Sequence, residues 1–384
     1  MTASRRDFLK TATLVGAGLT LRPGAATAAP APADATEARK LERAPSAKKL
    51  LILGGTGFIG PNMVKYAVER GHEVTILTRG KSPNKVEGVE HLIADREGDL
   101  GVLGTRRWDA VLDNNARDYR WVARSTKALK DSTGHYLLVS SISAYQTETM
   151  GYQNARRVLA KPIIDENAPR VTPPADWKDG AEAPYGLSKA IAENLTHAAF
   201  PGRTTVVRPG LIVGPTDPTD RFTYWPVRID EGGEVLAPGN PDHAAQVIDQ
   251  RDLTEWIVRL AETGTLGDFN GTGPASRMSI AEMLYGCRAA TSAPVQFTWV
   301  SEDFLAAQKV QVWSDIPAWS PGESLMFVNV DKAVGAGLTF WPLAVTAMDT
   351  IAWDKARPAA ERAKRGAGLT RAREAELLAL WRKR

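Results

Sequence analysis

Leu50-Leu51-Ile52-Leu53-Gly54-Gly55-Thr56-Gly57-Phe58-Ile59-Gly60 is an apolar run that breaks into spaced glycines and then into a helical pattern reaching Arg70. An apolar run preceding such a break reads as a strand buried on both faces. Gly54 permits a turn too tight for a side chain, Gly57 lets a pyrophosphate approach the backbone, and Gly60 lets the helix pack close to its strand. The helix start then turns N–H groups and its positive dipole end toward the phosphates. The plain alternative is glycine used for turn geometry alone. The next strand, Gly71-His72-Glu73-Val74-Thr75-Ile76-Leu77, completes a β-α-β unit and favours the dinucleotide reading.

Working outward, strand patterns recur at Val74 to Thr78, His91 to Ala94, Ala110 to Asp113, Tyr136 to Ser140 and Thr204 to Arg208, with helical patterns between several of them. That alternation predicts an α/β fold with a doubly wound parallel sheet, a Rossmann domain over residues 48–210. After Pro209 the pattern shifts to longer, aromatic-rich loops. Residues 211–357 are expected to form a smaller C-terminal substrate-binding region with elements returning to the sheet, and 358–384 a C-terminal helix. Asp217 to Arg228 and the turns Gly232-Gly233 and Pro238-Gly239-Asn240-Pro241 read as substrate-side lids. Asp252-Leu253-Thr254-Glu255 reads as a capping box, with Arg251 beside it a candidate substrate contact. Leu377, Leu378 and Trp381 give the last helix a face that docks on the core.

The chain has 384 residues, 43% of them hydrophobic, which suits an ordinary globular α/β protein. Arg5, Arg6, Lys10 and Arg22 against Asp7 place three of its four net positive charges in the first 28 residues, so the remainder carries no nucleic-acid or membrane footprint. Those 28 residues run from Ser4-Arg5-Arg6-Asp7-Phe8-Leu9-Lys10 through an apolar stretch to Ala26-Thr27-Ala28, and resemble a twin-arginine signal peptide. The apolar stretch is too short for a stable membrane span. Residues 29–47 read as a linker. The expected location is therefore periplasmic or extracellular, after passage through the twin-arginine export machinery. Cys287 is the single cysteine and reads as a core residue, and the five histidines show no metal-ligand spacing, so no metal is expected.

Tyr185-Gly186-Leu187-Ser188-Lys189 sets a phenol and an ammonium one helical turn apart. An adjacent cation favours the ionised phenol and suits it to proton transfer. Ser140-Ser141 leave the carboxyl end of the fifth strand, where open α/β sheets place ligands, and a hydroxyl there can hold a substrate oxygen. Alone, the first pattern is a short chance match and the second a Ser-rich turn. Their order after the glycine run makes coincidence the weaker reading.

On these motifs, with Arg208-Pro209-Gly210, Gly214-Pro215, Phe269-Asn270-Gly271, Gly337-Leu338 and Pro342-Leu343, the stretch from Lys48 to Trp353 resembles the extended short-chain dehydrogenase/reductase family, the NAD-dependent epimerase/dehydratase group. The resemblance implies Tyr185 as the proton-transfer residue, Lys189 on the nicotinamide ribose and lowering the tyrosine pKa, and Ser141 on the reacting oxygen. It implies Gly54, Gly57, Phe58, Ile59 and Gly60 at the pyrophosphate, Asn115 and Ala116 along the cofactor, and Pro209 and Gly210 near the nicotinamide. Two features depart from the family. Ser141 and Tyr185 stand 44 positions apart, so Gln146 to Glu182 holds an insertion expected over the pocket. The end of strand two reads Thr78-Arg79-Gly80-Lys81, without the acid that binds the adenosine ribose, so Arg79 and Lys81 point to NADP, with NAD the alternative. Asp95 is an adenine-amine acceptor or a plain turn residue.

Export implies a dinucleotide loaded in the cytoplasm and reset within each cycle, as in epimerisation or dehydration of a sugar or other secondary alcohol. Arg221, Tyr224, Trp225, Arg228 and Arg251 are the substrate-contact candidates, with packing the alternative for the aromatic ones. A simple NADP-dependent carbonyl reductase and a non-catalytic nucleotide- or RNA-binding protein are the competing readings. A homodimer is compatible with all of them.

Overall fold

Seven strands form the central sheet of the computed structural model: β1 (Lys49–Leu53), β2 (Glu73–Thr78), β3 (Glu90–Ile93), β4 (Trp108–Asp113), β5 (Thr133–Val139), β6 (Thr204–Pro209) and β7 (Gly267–Gly271). All pair in parallel, in the order β7-β6-β5-β4-β1-β2-β3. The structure describes residues 41–384 apart from 85, 147, 151–155, 159–163 and 322–327. The predicted signal and residues 29–40 of the linker lie outside the described residues.

Strand alternation explains why the Leu50–Leu53 run is apolar throughout. Leu50 and Ile52 face one side of the sheet, and Leu51 and Leu53 face the other. On the first face lie α1 (Gly60–Glu69) and, from far along the chain, the helix Gln250–Thr263. Arg70 and His72 clamp these two together through Glu262, at 2.6 Å and 2.9 Å. On the opposite face lie α2 (Tyr119–Leu129) and α3 (Tyr185–Ala199), joined where Ser188 Oγ accepts the Tyr119 N–H at 2.9 Å.

A second core gathers the segments between and after these elements. It holds α4 (Tyr224–Asp230), α6 (Ile280–Arg288), α7 (Leu343–Ala356) and α8 (Arg371–Trp381), around a parallel pair of strands, Gly233–Pro238 and Val295–Val300. Helix Gln250–Thr263, α5 in this numbering, and β7 interrupt that region and return to the sheet. β7 escapes the strand patterns read from sequence because Gly267-Asp268-Phe269-Asn270-Gly271 is poor in β-formers; its pairing with β6 supplies the order instead. The cap of α5 also differs from the expectation. Asp249 is the N-cap, accepting the Arg251 N–H at 2.8 Å, while Asp252 sits inside the first turn and accepts the Trp341 N–H at 2.8 Å.

Among the described residues no helix is long and apolar enough to cross a membrane.

Candidate functional site

The strand order reverses between β1 and β4, and a cavity of about 550 Å³ opens there at the carboxyl ends of the strands. Gly54, Gly57, Phe58 and Ile59 line its floor. Gly54 has φ of +91°, a left-handed conformation that favours glycine. A Cβ on Gly60 would meet the Gly55 carbonyl carbon at 2.5 Å and the Gly54 oxygen at 2.6 Å, so α1 can approach the turn only without a side chain there. Gly57 is the opposite case, since a Cβ on it would have only Gly54 O near, at 3.8 Å. No side chain caps α1, and its N-terminal end borders the cavity through Ile59. Asn114 lines the same wall with its buried Oδ1 unpartnered. An open glycine cradle, an uncapped helix start and an orphaned polar atom fit a dinucleotide lying along the strand ends.

Thr78, Arg79, Lys81, Ser82, Asp95, Asn115 and Ala116 also line the cavity. Thr78 Oγ1 is fixed by His91 at 2.7 Å and accepts the Gly80 N–H at 3.1 Å, which shapes the turn carrying Arg79. Arg79 and Lys81 are exposed and make no ion pair among the described residues. Asp95 lines the cavity and also accepts the Glu97 N–H at 3.0 Å in a local turn.

Sequence reasoning missed Arg96. It is 6% exposed, lines the cavity, and grips Asp113 through two bonds of 2.6 Å and 2.8 Å, with a third to the Asn115 carbonyl at 2.8 Å. Tyr136 donates to the same carboxylate at 2.7 Å. This pair holds the Asn114-Asn115-Ala116 turn against the sheet. The acid at the end of a buried strand was the available signal, because such a charge requires a partner.

At the other end of the cavity stand Ser140, Ser141, Tyr185, Lys189, Pro209 and Gly210. Ser141 leads a short turn, its Oγ accepting the Ser143 N–H at 3.1 Å. Helix α3 starts against that turn so closely that a Cβ on Gly186 would lie 2.3 Å from the Ser143 oxygen. Gly186 therefore sets Tyr185 beside Ser141. Lys189, one turn on, is 5% exposed, donates to the Val139 carbonyl at 2.9 Å and lies 5.6 Å from the centre of the Tyr185 ring.

The electrostatics differ from the sequence expectation at Tyr185. Burial of its hydroxyl end within the cleft raises its pKa above the ordinary value, although the ring as a whole is half exposed. The Ser141 hydroxyl and the charges of Arg221 and Arg117 pull in the opposite direction without overcoming it, and Lys189 is not among these influences. For Lys189, burial lowers the pKa to about 8, against the opposing pull of Asp113 and Glu193.

Beneath this end lies a second buried ionic group. Glu193, fully buried, receives Arg208 at 2.8 Å and 3.0 Å, Arg170 at 2.7 Å and the Ser140 hydroxyl through a very short bond. Arg208 also donates to the Tyr145 hydroxyl at 2.9 Å, and Tyr145 donates to Asn270 at 2.7 Å. The turn after β5, helix α3, β6 and β7 are thus tied at one point.

The other expectations fall differently. The described part of the insertion runs along the flank: Arg170 reaches Glu193, Trp177 packs beside Tyr119 at 6.5 Å, and Ala181 accepts the Tyr119 hydroxyl at 2.9 Å. None of its described residues lines the cavity. Tyr224 and Trp225 are 5% and 1% exposed in the second core, with the Trp225 indole on the Pro317 carbonyl at 2.7 Å. Arg228 is paired to Glu374 at 2.6 Å, and Arg251 to Asp249 and Asp349 at 2.7 Å and 2.6 Å. These four side chains are held by the fold and do not line the cavity, because pairing inside a core costs an arginine its freedom to meet a ligand. Arg221 does not line the cavity either, although its charge acts against the burial that raises the Tyr185 pKa.

A model of the NAD dependent epimerase/dehydratase family matches residues 50–270. The chain is 26% identical to an epimerase family protein of Bos taurus over 265 residues, 64% of this chain and 81% of the relative. It is 35% identical to the chloroplast stem-loop binding protein of 41 kDa b of Arabidopsis thaliana over 235 residues, 56% of each. Its fold is similar to that of Thermus thermophilus UDP-glucose 4-epimerase in complex with NAD, with a TM-score of 0.57 at 18% identity, covering 81% of this chain and all of that one. With a family match over more than half its length, laid on the sheet and glycine cradle that such a match requires, the chain belongs to the NAD dependent epimerase/dehydratase family.

Proposed function

We propose that the protein is an exported oxidoreductase that retains NADP and interconverts a secondary alcohol and a carbonyl, as part of an epimerase- or dehydratase-like cycle on a sugar or related substrate. The observation that carries the reading is the convergence of Ser141, Tyr185 and Lys189 at one end of the cavity that the glycine turn floors. A bound nicotinamide dinucleotide supplies the site for accepting and returning hydride. Gly54, Gly57, Phe58, Ile59 and Gly60 would hold its pyrophosphate, Asn115, Ala116 and Asp95 its adenosine side, Thr78 and Arg79 a 2′-phosphate, and Lys189, Pro209 and Gly210 its nicotinamide side.

Tyr185 Oη removes the substrate hydroxyl proton and returns one to the carbonyl oxygen, while Ser141 Oγ donates to that oxygen as charge develops on it. With its pKa near 8, Lys189 is mainly protonated at neutral pH and available to the ribose and the developing phenolate. The raised pKa of Tyr185 favours its protonated form and suits it to returning the proton in the reduction half of the cycle. Export through the twin-arginine route, read from Arg5-Arg6 and the segment after it, supports retention because no free pool replaces a lost cofactor outside the cytoplasm.

The test is to purify the exported protein, denature it, and assay the released nucleotide, with parallel NADPH and NADH titrations of the stripped form. Tighter NADH binding overturns the NADP assignment, and turnover that needs fresh cofactor in each cycle overturns retention. Changing Arg5-Arg6 to Lys-Lys should leave the protein in the cytoplasmic fraction.

A second reading, a nucleic-acid-binding protein on this fold, has one observation in its favour, the identity to the stem-loop binding relative. Tyr185→Phe separates them: RNA binding would survive it unchanged, whereas turnover would not.

A further inference from the structure

We propose that Trp121 is the wall against which the adenine ring of the bound dinucleotide lies, and that Glu97 holds the indole in that position. This rests on the reading of the cavity as a dinucleotide site and adds to it a residue that meets the base.

Among the described residues three aromatic side chains line the cavity: Phe58, Trp121 and Tyr185. Phe58 packs against the core on the first face of the sheet, and Tyr185 stands with Ser141 and Lys189 at the opposite end. Trp121 has neither engagement. It is half-buried and joins none of the hydrophobic cores of the described residues. A large ring left partly open on a cavity wall gains from a flat apolar partner that displaces water from its face.

The indole is nevertheless fixed. Trp121 lies in the first turn of α2, and its Nε1 donates to Glu97 Oε1 at 3.2 Å. One helical turn on, the buried Ser125 hydroxyl accepts Arg96 Nε at 2.9 Å. Consecutive residues of the turn after β3 thus grip two residues on one face of α2. Arg96 is itself locked on Asp113 at 2.6 Å, so the turn, the helix and the end of β4 are tied together. With its one N–H donated to Glu97, the indole has no further hydrogen bond to give a ligand, and what remains to offer is its face.

Position identifies what covers that face. Asp95, two residues before Glu97, lines the same cavity, as do Arg79, Lys81 and Ser82 from the turn after β2. In the sheet, β2 and β3 lie on one side of β1, whereas β4 and β5, which leads into Ser141, lie on the other. Glu97 therefore holds the indole on the β3 side, away from Ser141. A dinucleotide with its pyrophosphate on the glycine turn after β1 and its nicotinamide beside Tyr185 sends its adenosine half toward β2 and β3. The adenine is the flat group of that half. Its faces suit an indole, and its exocyclic amine can donate to the Asp95 carboxylate. A stacking wall reads no 2′-phosphate, so it serves NADP and NAD alike.

The experiment uses the full mature protein freed of nucleotide. NADPH and NADH are titrated by their own fluorescence, and 2′,5′-ADP and 5′-AMP, the adenosine halves of the two cofactors, are titrated as competitors. Trp121→Ala should weaken a dinucleotide and its adenosine half by the same factor, about tenfold or more. Trp121→Phe keeps a ring face and should stay within about threefold of wild type. Glu97→Ala frees the indole and should cost about threefold in both ligands, while Glu97→Gln, whose amide oxygen still accepts the indole N–H, should restore the affinity. In the wild type 2′,5′-ADP should quench part of the tryptophan emission, and in Trp121→Phe that quenching should disappear. Unchanged binding by Trp121→Ala or Glu97→Ala, a loss for the dinucleotide without a loss for its adenosine half, or quenching that persists in Trp121→Phe overturns the inference. Failure of both NADPH and NADH to bind the wild-type protein is the separate result that overturns the underlying reading.

Discussion

The end of the cavity floored by the glycine turn comes from turns that directly follow β1, β2, β3 and β4, all within residues 54–117, whereas the opposite end gathers Ser141, Tyr185, Lys189 and Gly210 from segments spread over about 70 positions. The first end depends on missing side chains: an open Gly57, a left-handed Gly54, a helix start without a cap. The second depends on side chains held by others, with Gly186 admitting α3 to the Ser141 turn and Glu193 bracing three segments below it. One end can be broken by adding a methyl group, and the other by removing a hydroxyl or a charge.

The largest expected effect is at Tyr185. Tyr185→Phe should lower turnover by about 10²–10⁴-fold, with NADPH affinity measured by fluorescence titration left as it was. A variant that turns over normally would remove the tyrosine from the reaction. Next comes Glu193→Gln, which leaves Arg208 and Arg170 facing a neutral amide inside the core and should cost about 3 kcal/mol of stability by urea unfolding.

The glycine pair then sharpens the contrast within the first end. Gly60→Ala drives a methyl into backbone at 2.5 Å and should destabilise the protein by about 2 kcal/mol. Gly57→Ala meets nothing closer than 3.8 Å, so its unfolding midpoint should hold while NADPH affinity falls about tenfold. Equal stability losses in the two would show that the cradle is packed differently. Arg79→Ser should weaken NADPH by about tenfold and leave NADH within about twofold; a parallel loss for both would place Arg79 on the adenine rather than on a 2′-phosphate.

The smallest effect is a slope with pH. Burial takes Lys189 to about 8 from an ordinary 10.5, so between those values the unfolded chain holds more protons than the folded one. Stability therefore rises with pH across that window, and below it the buried charge is carried at a cost. Wild type should gain about 1 kcal/mol relative to Lys189→Met between pH 7 and pH 9. A constant difference between the two would mean that the ammonium is solvated.

Much of the first end is legible in the order of residues alone. A strand, a turn and a helix adjacent in sequence keep their relative positions whatever surrounds them, so Leu50 to Gly60 and the turns at Thr78 and Asn115 can be read locally. Ser141, Tyr185 and Lys189 are legible as residue types, through motif order and helical spacing. Tyr224, Trp225, Arg228 and Arg251 mislead because an aromatic or an arginine in a loop looks the same whether it meets a ligand or fills a core. The partners Glu374, Pro317 and Asp349 lie about 90 to 150 positions away from the side chains they hold, beyond the reach of periodicity. Arg96 and Glu193 escape a sequence reading for the same reason.

The amino-acid sequence by itself determined the β-α-β cradle, the parallel alternation through β6 and the one-turn spacing of Tyr185 and Lys189, because each rests on contacts between near neighbours. Only the tertiary structure decided that Arg228 and Arg251 are paired within the fold, that the described part of the insertion lies along the flank, that Asp249 rather than Asp252 caps α5, and that burial raises the tyrosine pKa. Burial and charge pairing are sums over segments distant in the chain, and they acquire values only when the fold brings those segments together.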